Sequence, residues 1–220
     1  VKKLAAHIRQ GLNTEPVEKS EKKLICTRKN EGFKTSGQVQ YVAQNGNFRK
    51  KGLEYTGALE ILKVILSYDY LWINLRVKGG AYGCMSGFKR NGESFLVSYR
   101  DPHLKRTLEV YQGVPDYIRA FEADEREMTK YIIGTISNKD VPRTPQMQGS
   151  ISKTAYFSNV TEDMLQKERN QILGAQKEDI QKLAALVEAV LSDDQICVVG
   201  SETAIEKAED VFMEVKPLIG

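Results

Sequence analysis

The sequence predicts an α+β domain in which helices pack on a mainly antiparallel sheet of about five or six strands. Residues 81–89 and 93–100 are two strand-like runs joined by an Arg-Asn-Gly turn, and Asn-Gly is a strong hairpin signal. Several segments show the apolar spacing of helices, and one more apolar strand, residues 195–200, comes late in the chain. Early hairpin strands followed by a late single strand favour this arrangement over a doubly wound parallel sheet.

The first part of the chain contains a helical segment and two strands. We assign residues 1–20 to an opening amphipathic helix and a polar connector, and residues 21–220 to a single α+β domain. Residues 22–27 are predicted to form a strand, residues 30–32 a turn, and residues 37–44 a half-buried strand, because apolar and polar side chains alternate there. The chain begins without Met inside a helical pattern, so we expect it to be a piece of a longer protein.

A mostly buried helix is predicted over residues 55–75. Its polar residues recur every three to four positions, and the remaining surface is apolar. These polar residues are Thr56, Glu60, Lys63 and Ser67. The helix is expected to end near Gly79 and Gly80, because glycine adopts the backbone angles that close a helix.

The segment after the hairpin is predicted to be helical. Asp101 and Pro102 are typical of an N-cap followed by the first helical residue, and Gly113 and Pro115 should kink the helix that follows. A second helix is expected over residues 124–137.

The last third of the chain is predicted to begin with a surface loop over residues 138–150, which contains two prolines and a glycine. A helix should start at Thr161, and another should cover residues 180–191, where apolar residues follow helical spacing. After the late strand, residues 202–215 are predicted to form a closing helix.

Composition excludes two classes of partner. The 32 basic and 29 acidic residues are spread along the chain, so no polybasic block for binding nucleic acid is present. No apolar run approaches the roughly 18 residues of a membrane span, which predicts a soluble protein that does not enter membranes. Cys26, Cys84 and Cys197 are far apart and flanked by strand-like residues, so we expect buried free thiols in a reducing compartment.

The sequence lacks the signatures of a self-contained enzyme. It has only two histidines, His7 and His103, and neither belongs to an HxxEH or HExxH motif. Neither a GxSxG nucleophile motif nor a phosphate-binding GxxxxGK or GxGxxG motif is present. We therefore expect no metal or other cofactor bound by this chain alone, and we expect His103 to face solvent.

Residues 76–83, RVKGGAYG, form the one segment that combines residues suited to substrate contact. Arg76 can donate forked hydrogen bonds and Tyr82 a hydroxyl, so together they could hold a peptide carbonyl or stabilise negative charge on it. Gly79 and Gly80 would let a substrate backbone approach. The structural alternative remains open, because Arg76 also suits a helix C-terminus and Tyr82 suits a strand.

The sequence YDYLWINLRVKGGAYG resembles the signature in the C-terminal half of presequence proteases, a branch of the pitrilysin and insulinase metallopeptidases. The likeness extends back through GLEYTGALEILKVILS and forward through VSYRDPHLKRTLEVY. It implies a metallohydrolase-like domain of the pitrilysin/insulinase type. In that family four such domains form two halves around a chamber, and the zinc motif HxxEH lies in the first domain.

The resemblance implies that Arg76 anchors a peptide substrate and that Tyr82 stabilises the oxyanion formed near a zinc held by the N-terminal half of the same polypeptide. This chain would then be the zinc-free C-terminal domain of an oligopeptide-degrading metalloendopeptidase, inactive by itself. The alternative is a structural or assembly domain of a catalytically inactive relative. We expect a bacterial cytoplasmic location, with the mitochondrial matrix as the alternative.

Overall fold

A computed structural model describes residues 2–13, 15 and 29–219. Its strands are β1 (Glu31–Thr35), β2 (Gln40–Asn47), β3 (Gly83–Phe88), β4 (Glu93–Asp101), β5 (Gln195–Ser201) and β6 (Glu214–Pro217). Its α-helices are α1 (Lys2–Gln10), α2 (Ala58–Tyr68), α3 (Lys105–Gln112), α4 (Val114–Arg119), α5 (Glu125–Lys139), α6 (Pro145–Phe157), α7 (Glu162–Leu173), α8 (Lys177–Gln181), α9 (Ala184–Leu191) and α10 (Glu202–Glu206). A π-helical segment covers Trp72–Val77, and short 3-10 turns cover Phe48–Lys51 and Glu209–Val211.

The strands form one six-stranded sheet in the order β3-β4-β2-β5-β1-β6. The β3–β4, β4–β2 and β2–β5 pairs are antiparallel, and the β5–β1 and β1–β6 pairs are parallel. The predicted α+β class and the mainly antiparallel sheet are therefore confirmed. Strand β3 lies at one edge of the sheet.

The core lies between the sheet and helices packed on it, which include α2, α3 and α9. Val42 of β2 is fully buried, and its carbonyl accepts a hydrogen bond of 3.1 Å from the hydroxyl of buried Tyr111 in α3. Helix α9 approaches so closely that a Cβ on Gly46 would lie 2.1 Å from the Val190 carbonyl oxygen. Glycine is therefore required where α9 crosses β2.

The hairpin prediction is confirmed by β3 and β4, which pair from Gly83 opposite Tyr99 to Phe88 opposite Ser94. Gly92 closes the turn with a φ of 91°, a backbone conformation that favours glycine. The break at Gly113 is also confirmed, since α3 ends at Gln112 and α4 begins at Val114.

Two helix starts differ from the predictions. The predicted N-cap at Asp101 was wrong, because Asp101 is the last residue of β4 and α3 begins only at Lys105. The Asp101 carboxylate accepts hydrogen bonds from the His103 amide and the Thr107 hydroxyl. The predicted loop over residues 138–150 was wrong in its second half, because α6 begins at Pro145. Proline is tolerated in a first helical turn, and the Thr144 side chain caps this one.

Three further elements differ in extent. The predicted helix over residues 55–75 is α2 followed by the π-helical segment, with a break at Asp69, whose carboxylate accepts a hydrogen bond from the Tyr131 hydroxyl. The predicted helix over residues 180–191 is divided into α8 and α9. The closing helix over residues 202–215 was wrong, because α10 is short and the chain continues into β6, which pairs with β1.

Strand β1 replaces the turn predicted at residues 30–32. The strand predicted at residues 22–27, together with Cys26, lies outside the described residues. Of the other two thiols, Cys84 is half-buried and Cys197 is exposed, so the expectation that Cys197 is buried was wrong. None of the described helices is long and apolar enough to cross a membrane.

Candidate functional site

The RVKGGAYG segment turns the chain from the π-helical segment into edge strand β3. Gly80 has a φ of 77°, its amide donates to the Arg76 carbonyl at 3.0 Å, and the Ala81 amide donates to the Leu75 carbonyl at 2.9 Å. Gly79 is buried, and a Cβ there would lie 2.4 Å from the Leu75 carbonyl oxygen. Both glycines are therefore needed for the turn itself, and their contact with substrate stays a prediction.

The structure brings Arg76 and Tyr82 together. The Arg76 guanidinium donates a hydrogen bond to the Tyr82 carbonyl oxygen, and its central carbon lies 5.5 Å from the centroid of the Tyr82 ring. The same guanidinium stacks 4.5 Å from the Trp72 ring centroid, one π-helical turn earlier. Tyr82 is 57% exposed, so its side chain stays accessible from solvent. π-helical turns within helices are often found at functional sites.

Two residues of β4 complete this group, and the sequence reasoning did not select them. The Tyr99 ring lies 5.6 Å from the Tyr82 ring, and it occupies the space that a side chain on Gly83 would need. The Arg100 guanidinium lies 5.5 Å from the Tyr82 ring centroid. We call Trp72, Arg76, Tyr82, Tyr99 and Arg100 the Tyr82 cluster. The hairpin register was the signal that could have found the last two, because it places Tyr99 opposite Gly83.

Cys84, the second residue of β3, is not an activated nucleophile. Burial raises the pKa of its thiol to about 11, and the nearby charge of Arg76 acts in the opposite direction with a smaller effect. At neutral pH the thiol is therefore protonated, whereas the nucleophilic form of cysteine is the thiolate. What the Tyr82 cluster offers a ligand is hydrogen-bond donors and positive charge.

Within the described part of the chain, no three His, Cys, Asp or Glu side chains are grouped so that they could hold a metal ion. His7 on α1 and His103 before α3 are both exposed, and they lie on separate elements. The residues described here thus do not fit a zinc site, and no zinc chemistry is assigned to them.

A family model described as the PreP C-terminal domain matches residues 30–202. This chain belongs to the PreP C-terminal domain family. It is 48% identical over 207 residues to Protein HypA of Clostridium perfringens, covering 94% of this chain and 21% of that protein. It is 33% identical over 192 residues to presequence protease 1, chloroplastic/mitochondrial, of Arabidopsis thaliana, covering 86% of this chain and 18% of that protein.

The fold of this PreP C-terminal domain is similar to that of pitrilysin, with a TM-score of 0.58 at 16% identity over 90% of this chain and 22% of that one. The likeness supports a pitrilysin-type domain, as the resemblance implied. The chain spans about a fifth of the length of the curated relatives, 21% of HypA and 18% of the Arabidopsis protein. The activity of a whole protein containing this domain is therefore a proposal.

Proposed function

We propose that this chain is the zinc-free, substrate-contacting domain of a larger zinc metalloendopeptidase that degrades oligopeptides. The observation that carries the proposal is the contact between Arg76 and Tyr82 at an accessible sheet edge, in a chain of the PreP C-terminal domain family. The partner would be the N-terminal half of the same polypeptide, which would hold the zinc. The other ligand would be the peptide itself.

Tyr82 is proposed to donate its phenolic hydrogen to the carbonyl oxygen of the scissile peptide bond. The phenol has no hydrogen-bond partner among the described residues, and its ring lies 5.5 Å from the guanidinium carbons of Arg76 and Arg100 and 5.6 Å from the Tyr99 ring. A donor that is positioned before the reaction stabilises negative charge on the oxygen without reorganising. Loss of one such donor costs about 3 kcal/mol in the transition state.

Arg76 is proposed to anchor the peptide and to fix Tyr82. One of its N–H groups is used by the Tyr82 carbonyl, and a guanidinium has five N–H donors in all. The remaining donors can bind a substrate carbonyl beside the phenol. Because these groups lie on a domain separate from the proposed zinc site, they would reach the reacting bond only when the two halves close, which excludes water from the substrate.

The test compares Tyr82→Phe and Arg76→Ala with the wild type in the full-length parent protein. We expect kcat/KM for a neutral peptide to fall by about 100-fold in Tyr82→Phe, as for other single oxyanion donors, while bound zinc stays unchanged. Tyr156→Phe is the matched control, because this tyrosine is exposed on α6 and is not a member of the Tyr82 cluster. Unchanged kcat/KM in both site variants would refute the proposal.

A structural role is the second candidate, and one observation favours it: the Arg76 side chain bonds to the Tyr82 backbone and so ties the π-helical segment to β3. In a catalytically inactive relative that tie would serve folding or assembly alone. The two candidates differ in their readouts. A structural role predicts that Arg76→Ala lowers the unfolding midpoint and that Tyr82→Phe, which keeps the backbone carbonyl, changes neither stability nor cleavage.

A further inference from the structure

Arg100 lies at an irregularity in the sheet. Gln40 pairs with Asp101 and Val42 with Ser98, so the single residue Tyr41 faces both Tyr99 and Arg100, which defines a β-bulge. Arg100 has a φ of 48°, in the left-handed region that residues with a side chain rarely adopt. Bulges re-aim side chains, and strained backbone conformations often occur at functional sites.

The bulge directs Arg100 toward Tyr82. The Arg100 carbonyl accepts a hydrogen bond of 3.2 Å from the Tyr82 amide, which holds the two backbones together. Its guanidinium then lies 5.5 Å from the Tyr82 ring centroid, the same distance as that of Arg76. Two guanidinium groups therefore lie at the same distance from one accessible aromatic ring.

These charges have no carboxylate partner within the described residues. Arg76, Lys78, Arg100 and Arg106 form no ion pair among the described residues, and the Arg106 guanidinium donates instead to the Lys78 carbonyl at 3.3 Å. By contrast, neighbouring Lys105 pairs with Asp210 at 2.6 Å.

Two carboxylates that adjoin the cluster in the chain already accept hydrogen bonds from other groups. Asp101, which follows Arg100, is buried and accepts hydrogen bonds from the His103 amide and the Thr107 hydroxyl. Asp69, before the π-helical segment, accepts from the Tyr131 hydroxyl. The two guanidinium groups of the cluster thus carry positive charge that no carboxylate among the described residues neutralises through an ion pair.

We propose that Arg100 is a specificity-determining residue that, with Arg76, binds a carboxylate of the peptide beside Tyr82. The inference rests on the proposed function and adds a substrate class to it. A guanidinium matches a carboxylate with two parallel hydrogen bonds, and both guanidinium groups lie within cation–π distance of the Tyr82 ring. The carboxylate would come from an Asp or Glu side chain or from the peptide C-terminus.

The experiment measures kcat/KM of the full-length parent protein on matched peptides. One arm compares Glu with Gln at successive positions on each side of the cleaved bond, and the other compares a free C-terminus with an amidated one. We expect the wild type to favour the carboxylate peptide in one arm, which identifies its source. The preference should shrink as salt is raised, because the site is accessible to solvent.

In Arg100→Gln the ratio of kcat/KM between the carboxylate peptide and its neutral match should fall about tenfold, mainly through KM, as for loss of one charge-assisted contact. Arg126→Gln is the control, because it removes an exposed arginine on α5 and should leave the ratio unchanged. Arg100→Gly should lower this ratio by the same factor, and glycine adopts the left-handed φ of this position without strain. It is therefore the variant to measure if Arg100→Gln folds poorly.

A ratio unchanged in both Arg100 variants, or no carboxylate preference in the wild type, would overturn the inference. The proposed function fails separately, when Tyr82→Phe and Arg76→Ala cleave neutral peptides as fast as the wild type.

Discussion

The sharpest stability prediction concerns Glu168, a carboxylate buried at the junction of three elements. It lies on α7, is 4% exposed, and accepts hydrogen bonds from Arg90 in the hairpin turn and from Lys139 at the end of α5. We predict that Glu168→Gln, which keeps the shape and removes the charge, leaves two cations without their anion. Removing one partner of a fully buried pair costs about 3–5 kcal/mol.

The expected cost is smaller here because the Arg90 and Lys139 side chains are 33% and 29% exposed, and water partly solvates them. We therefore expect a loss of about 2–3 kcal/mol in the free energy of unfolding. For a domain of this size that corresponds to a decrease in Tm of roughly 4–12 °C.

Urea unfolding of Glu168→Gln, followed by circular dichroism, measures this change, with Glu93→Gln as the matched control. Glu93 pairs with Lys89 in the same hairpin, but both side chains are well exposed, so its loss should hardly move the midpoint. Equal midpoints for the two variants would refute the reasoning that the buried carboxylate holds the hairpin turn to α5 and α7.

Two further predictions test packing and titration. Ile172 is fully buried, so Ile172→Ala should lower the free energy of unfolding in urea by about 2–5 kcal/mol. Ile151 is 42% exposed on α6, a helix without buried residues, so Ile151→Ala should change it by less than about 0.5 kcal/mol. Equal losses in the two variants would show that α6 is packed. The rate at which Cys84 is alkylated, measured by mass spectrometry, should rise about tenfold per pH unit between pH 8 and 10. The pKa of this thiol in the folded protein is about 11, so only a small fraction is thiolate in that range. A rate that levels off near pH 8.5 would contradict this pKa.

The elements that the sequence predicted well are those whose partners are close in the chain. The hairpin was recognisable because strands β3 and β4 and their Asn-Gly turn carry the whole signal within about twenty residues. Strands β1 and β6 were missed, since they pair in parallel across about 180 residues, from Glu31 to Glu214, and neither segment alternates clearly. Long-range pairing replaced the turn predicted at residues 30–32 and the end of the helix predicted at residues 202–215 with strands, and local propensity could not reveal it.

The site was predictable to a similar degree. Arg76 and Tyr82 were selected as candidates by their residue types and by resemblance, their role stays a prediction, and the hairpin register could have added Tyr99 and Arg100. The left-handed φ at Arg100 had no such signal. It arises where β4 pairs with β2 out of register, and the sequence of β4 alone does not show where its partner shifts.

The geometry of Arg76 is compatible with both of its proposed roles, the structural one and the substrate-binding one. Its bond to the Tyr82 carbonyl fixes the backbone from which the phenol projects, and Arg100 fixes the same residue through its own carbonyl and the Tyr82 amide. Both backbone polar groups of Tyr82 are thus occupied by arginines, while its hydroxyl has no partner among the described residues. A tyrosine held on both sides of its backbone loses little conformational freedom when it donates to a ligand, and such prior ordering is what gives a hydrogen-bond donor its catalytic value.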